Sequence, residues 1–244
     1  MSNNYLLEIA VFNYSSAVLA EQAGADRLEL CENAGEGGTT PSHGTLKQVK
    51  DKIQIPVFPI IRPRGGDFLY TADELLIMKQ DIELCKQLDF EGVVFGMLLP
   101  DGKVDKENCK RLVDLAYPLD VTFHRAFDRT MDAFEALQDI IECGCTRILT
   151  SGQVPNVPDG VDLIKKLMET ADGRIVIMPG SGLRSSNVLS IADSTGAVEF
   201  HSSARTNLPS LMEHSNAKMG ESNHTVSVNV EEIRRTKEII MNMK

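Results

Sequence analysis

The stretch Leu6-Leu7-Glu8-Ile9-Ala10-Val11-Phe12-Asn13-Tyr14-Ser15-Ser16 decides the fold. Its first six residues are apolar around one carboxylate, the composition of a buried strand, and a helical pattern follows at about 15–24. A strand feeding a helix opens a parallel βα arrangement, which either closes as a barrel or stays open as a doubly wound sheet. The open form usually places a Gly-rich fingerprint in this first turn, yet Phe12-Asn13-Tyr14-Ser15-Ser16 contains no glycine. Outward from here the unit recurs. Further strands are expected at 27–31, 57–62, 92–98, 121–126, 147–151, 174–178 and 198–202, with helices at about 44–52, 72–89, 105–116, 131–143, 160–171, 184–195 and 231–242. Eight βα units in 244 residues give an α/β expectation: one (β/α)8 TIM-type barrel domain over 1–244, which leaves no open sheet edge. Residues 206–229 lack periodicity and read as a long irregular insertion between the last strand and the last helix.

Composition bounds the partners. Asp and Glu number 35 against 25 Lys and Arg, a net charge of -10 that repels polyphosphate; with no basic stripe, a nucleic-acid partner is excluded. No run approaches the roughly 20 apolar residues of a membrane span, so no membrane partner is expected. Five cysteines, odd in number and dispersed, fit a reducing, cytoplasmic setting better than a disulfide framework.

Alternation along the strands sends one set of side chains into a barrel and the other under the helices. Leu7, Ile9 and Val11 suit the helix side, leaving Glu8 inward; Leu28 and Leu30 do the same for Arg27, Glu29 and Cys31. Arg62 ends the third strand, His124 the fifth, and Glu199, His201 and Ser203 share a face of the eighth. Glu8, Glu29, Arg62, His124, Glu199 and His201 therefore converge as either a buried ion-pair network or a catalytic set, and the reactive end of such barrels is the carboxyl face. Loops after the strands add anion-binding character: Arg64 within Arg62-Pro63-Arg64-Gly65-Gly66, the turn Gly180-Ser181-Gly182 leading into a helix, and Ser203 with Arg205 after the eighth strand. Among the cysteines only Cys31 stands at a strand's carboxyl end. Cys143 and Cys145 form a Cys-x-Cys pair at the opposite end, and Cys85 and Cys109 fall inside helices.

Several segments together resemble the CutC family: 24–31 (GADRLELC), 36–42 (EGGTTPS), 59–68 (PIIRPRGGDF), 122–128 (TFHRAFD), 149–152 (LTSG) and 199–205 (EFHSSAR). The resemblance implies a barrel of this kind, a cytosolic setting that in eukaryotic members extends to the nucleus, self-association as a dimer or tetramer, and a copper-homeostasis role through Cu(I) binding. Cys31 matches a family cysteine for that role. Some relatives carry a cysteine pair just after the first-strand glutamate, where this chain has Ala10, Val11 and Phe12.

Two functions follow as expectations. One is copper handling through a metal site at Cys31, with Cu(I) and no organic cofactor. The other is an enzyme acting on a small phosphorylated or carboxylated metabolite. There Arg62 clamps the anion, His124 or His201 exchanges a proton, a glutamate orients the imidazole, and Arg64, Gly180, Ser181, Gly182, Ser203 and Arg205 hold the anion.

Overall fold

The computed structural model describes residues 5–220 and 223–243. Eight strands, β1 (Leu6–Val11), β2 (Arg27–Leu30), β3 (Val57–Pro59), β4 (Gly92–Phe95), β5 (Asp120–Phe123), β6 (Arg147–Thr150), β7 (Val176–Pro179) and β8 (Glu199–Ser202), run parallel. They form two four-stranded arcs, β3-β2-β1-β8 and β4-β5-β6-β7. The arcs join at Ile60–Val94, where the Ile61 N–H donates to the Val94 carbonyl at 2.7 Å. On the other side β7 packs beside β8 with no ladder between them among the described residues. The expected (β/α)8 barrel is the fold.

Helices α1 (Tyr14–Gln22), α2 (His43–Lys52), α3 (Ala72–Gln87), α4 (Lys106–Ala116), α5 (Ala133–Cys143), α6 (Val161–Ala171) and α7 (Val188–Thr195) follow the first seven strands. Most starts are written in the sequence. Asn13, Ser42, Asp105 and Asp132 each accept a backbone N–H of the first turn, and Thr71 with Glu74 closes a full capping box on α3. The helix-side strand residues Leu7, Ile9, Val11, Leu28 and Leu30 are fully buried and join the α-helical faces in one core. This leaves the barrel interior to the other set of side chains.

The segment after β8 differs from expectation. Its two ends are regular: β9 (Arg205–Pro209) pairs antiparallel with β10 (His224–Val228), from Arg205 opposite Val228 to Pro209 opposite His224, before α8 (Val230–Met241), and the described residues between the strands hold only a short 3-10 turn. The ribbon stands outside the barrel and is tied to it by the Asn13 side-chain amide, which donates to the Val226 carbonyl at 2.8 Å. No helix of the described residues is long and apolar enough to cross a membrane.

Candidate functional site

Strand register assembles the interior charges. Glu8 stands opposite Arg27 on β2 and opposite His201 on β8, and Ala10 opposite Glu29, so one small residue leaves room for the second carboxylate. Arg27 donates its Nε–H to Glu8 and Nη2–H to Glu199 at 2.7 Å; Arg147 donates to the same Glu199 oxygen at 2.9 Å. The two guanidiniums lie 5.0 and 5.4 Å from the Phe58 ring centroid. These are the paired charges that a barrel interior demands.

Toward the carboxyl end the pairing loosens. His201 Nδ1 lies 2.8 Å from Glu8 Oε1, and its Nε2 lies 3.7 Å from Glu29 Oε2. Burial alone would raise Glu8, but Arg27 and His201 overcome it and hold the carboxyl at about 2. Glu29, equally buried, lacks an arginine partner; burial and the nearby Glu8 charge outweigh His201 and push it to about 7. Burial opposes charge on His201, yet Glu8 and Glu29 raise its pKa above the ordinary imidazole value. Two carboxylates in one interior are thus split: Glu8 is a fixed anion, while Glu29 exchanges a proton near neutral pH.

Glu29 and His201 line a cavity of about 180 Å³ with Cys31, Arg62, His124 and Ala10. Burial and the Arg62 charge lower His124 to about 3, so its imidazole is neutral. Nδ1 accepts the Ala126 N–H at 3.2 Å, which leaves the proton on Nε2, and that buried donor has no partner. Gly96 makes room for this ring, because a Cβ there would sit 2.7 Å from Nδ1.

The turns after β7 and β8 supply a second set of donors. Ser181 and Gly182 are both left-handed, at φ 72° and 75°. The Ser181 hydroxyl pins this turn by donating to the Pro155 carbonyl at 2.8 Å. The backbone N–H groups of Ser181, Gly182, Leu183 and Ser203 have no protein acceptor among the described residues, and all four residues line the cavity. Arg184 lines it too, with its guanidinium free of hydrogen bonds and ion pairs among the described residues. Consecutive free N–H groups beside a cation make an anion-binding concavity.

Of the expected anion ligands, Ser181, Gly182 and Ser203 are in this cradle and the others are not. Gly180 donates its N–H to the Thr150 carbonyl, and its bare Cα lets His201 pack 3.1 Å from where a Cβ would be. Five residues separate Gly182 from α7, so no helix starts at the turn as expected. Arg64 is folded onto Glu74 and the Gly65 and Leu69 carbonyls. Arg205 is exposed in β9 and reaches the Ala34 carbonyl. Arg62 is gripped by the carbonyls of Glu36 and Gly38 on Nη1 and of Gly66 on Nη2, which leaves one Nη2 N–H and the buried Nε–H, the latter without a partner. Glu199 sits between its two arginines and does not line the cavity. Two contributors escaped the sequence reading. Arg184 follows a turn whose backbone shape has no residue signature; Arg125, which alternation along β5 sets on the face opposite His124, bridges Asp128, Ser151 and Ser181 at the cavity wall.

For Cu(I), the site offers Cys31 on the cavity wall. Burial first, then Glu29 and Glu8, raise its thiol well above the ordinary value, so it rests protonated. Among the described residues no group of three His, Cys, Asp or Glu side chains is placed to hold a metal. Cys109, Cys143 and Cys145 meet between α4 and the start of β6, all buried.

The family model for the CutC family matches residues 5–206. The copper homeostasis protein cutC homolog of Homo sapiens is 50% identical over 89% of this chain and 80% of its own. A family protein CutC of Parabacteroides distasonis is 50% identical over 96% of each. A solved CutC structure from Streptococcus agalactiae superposes with a TM-score of 0.78 at 33% identity, covering 82% of this chain and 98% of its own. Phosphoribosyl anthranilate isomerase of Thermotoga maritima, at a TM-score of 0.61 and 13% identity, covers 98% of this chain and all of its own, and shares the fold. The barrel, the motifs that build its mouth and the similarity along most of the chain agree: the protein belongs to the CutC family.

Proposed function

We propose that the carboxyl-end cavity is the active site of an enzyme that moves a proton on a small phosphorylated or carboxylated metabolite. The observation that carries this reading is the placement of Glu8 and Glu29 at the two nitrogens of His201, at 2.8 and 3.7 Å, with an arginine on Glu8 and none on Glu29. Glu8 fixes the imidazole, and Glu29, near its midpoint at neutral pH, is the acid or base. The neutral His124 donates its Nε2–H to the oxygen on which charge develops, with no cost of deprotonating a cation. Ser181, Gly182, Leu183 and Ser203 receive the anion on backbone N–H groups, with Arg184 beside them. Two measurements test it. Inorganic phosphate titrated calorimetrically into the wild type binds, and Arg184→Gln weakens it about tenfold, a loss of about 1.4 kcal/mol; a wild type that takes no phosphate removes the anion half. Carbon-13 NMR of the glutamate carboxyls finds Glu29 titrating near neutrality; an ordinary carboxylate value removes the acid–base half.

A second reading follows the name of the human relative: the chain binds Cu(I) as cargo at Cys31 and so handles intracellular copper. It is supported by that thiol sharing a cavity wall with the His201 imidazole, both ligands a soft ion accepts. The metal takes thiolate, so binding must expel the Cys31 proton and affinity rises with pH. Competition against a Cu(I) chelator at two pH values, with Cys31→Ser alongside, tests this; equal affinity in both proteins removes Cys31. Self-association belongs with either reading. The exposed Leu208, Leu211 and Met212 of the ribbon suit it, and analytical ultracentrifugation measures it.

A further inference from the structure

A second cavity, of about 630 Å³, adjoins the first and shares Gly37, Arg62, Phe68 and Arg125 with it. Its chemistry is set by two guanidiniums on one ring. Arg62 Cζ lies 4.9 Å from the Phe68 centroid and Arg129 Cζ 5.3 Å. Arg62 is 4% exposed, holds only carbonyls with its terminal nitrogens, and keeps a buried Nε–H with no partner. The Arg129 guanidinium is exposed and has no hydrogen bond or ion pair among the described residues; the nearest charge that feels it is the Asp67 carboxylate, which is itself paired to Arg64.

The carboxylates on this cavity do not neutralise them. Asp128 is already engaged, accepting from Arg125, Thr150, the Ser151 amide and hydroxyl, and Gln153. Glu36 is exposed, and its carboxylate lies against Gly65. A chain of net charge -10 thus holds two guanidiniums around one aromatic ring with no carboxylate in hydrogen-bond or ion-pair contact with either among the described residues, beside the cavity that bears the acid–base pair. The flat guanidinium fork suits a carboxylate, and Arg129 reaches solvent to collect one.

We propose that this second cavity is a carboxylate subsite, and that the substrate is an extended phosphate monoester with a carboxylate at its other end. The phosphate lies on the Ser181–Leu183 turn, the carboxylate at Arg129 and the Arg62 Nε–H, and the carbon chain between them passes Glu29 and His201. This rests on the anion-binding enzyme reading and names its substrate class.

The test compares two compounds of equal length by calorimetry, 6-phosphogluconate and sorbitol 6-phosphate, which differ in a terminal carboxylate against a hydroxymethyl. The wild type should bind 6-phosphogluconate at least tenfold tighter. Arg129→Gln should abolish that preference and leave sorbitol 6-phosphate unchanged, and Arg129→Lys should recover part of it. Arg184→Gln should weaken both compounds alike. Equal affinity for the two compounds in the wild type, or an Arg129→Gln that weakens both equally, overturns the carboxylate subsite and leaves the phosphate cradle standing. If neither compound nor inorganic phosphate binds, both readings fall together.

Discussion

The lower and upper halves of the barrel interior are built by the same strands and behave as opposites. Below, Glu8, Arg27, Glu199 and Arg147 answer one another charge for charge. Above, Glu29 has only an imidazole at 3.7 Å, and the His124 Nε2 and Arg62 Nε donors have no partner. Buried polar groups are normally satisfied, so a tier that closes its account and a tier that leaves donors open serve different ends. The closed tier ties strands of the barrel together, and the open tier is where the proposed ligand would bind.

Breaking the closed tier has the largest effect. Arg27→Met strands Glu8 and Glu199 in the interior and should destabilise by about 3–5 kcal/mol, read as a lowered Tm and denaturant midpoint. A variant of unchanged stability would show that the lower charges are not a structural unit.

Glu29→Gln comes next and sharpens the contrast through pH. Glu29 is raised in the folded state, so its contribution is fully present below the unfolded value of 4.5 and is lost as pH rises through about 7. Over that window it amounts to about 3 kcal/mol at most. Glu8 has the opposite sign: its contribution is present above 4.5 and is lost as pH falls toward about 2. Glu29→Gln should therefore flatten the stability profile between pH 5 and 7 and leave the acid limb intact. A wild type already flat in that window would contradict the raised carboxyl.

The smallest effect marks the boundary between the tiers. Thr122 is fully buried on β5 and its hydroxyl has no partner. Thr122→Val keeps the shape and removes the orphan, so it should be neutral or stabilising by about 1 kcal/mol in a thermal melt. Destabilisation would place that hydroxyl in a network.

Much of the closed tier was legible in the sequence because period-two alternation sorts Glu8, Arg27 and Glu199 inward without further information. The open tier was legible only in part. The sequence names Gly-rich loops, but not which carbonyls they turn toward Arg62, and those carbonyls take up three of the N–H groups that a clamp would use. The left-handed Ser181 carries no residue signature, since that conformation is ordinarily glycine's. The ribbon was missed for a different reason. β9 is exposed along most of its length, so neither face is buried and no hydropathy alternation exists to be read.

That ribbon also bears on the chain's order. Tyr5, Asn242 and Met243 line one hollow, so the two described ends of the polypeptide lie side by side. β8 pairs with β1 without the ribbon's help, and the family match ends at Thr206, inside its first strand. The barrel therefore has a natural alternative opening: joined at its ends and cut at the ribbon tip, the same sequence would start with β10 and α8 and still wind the eight strands in the same cyclic order.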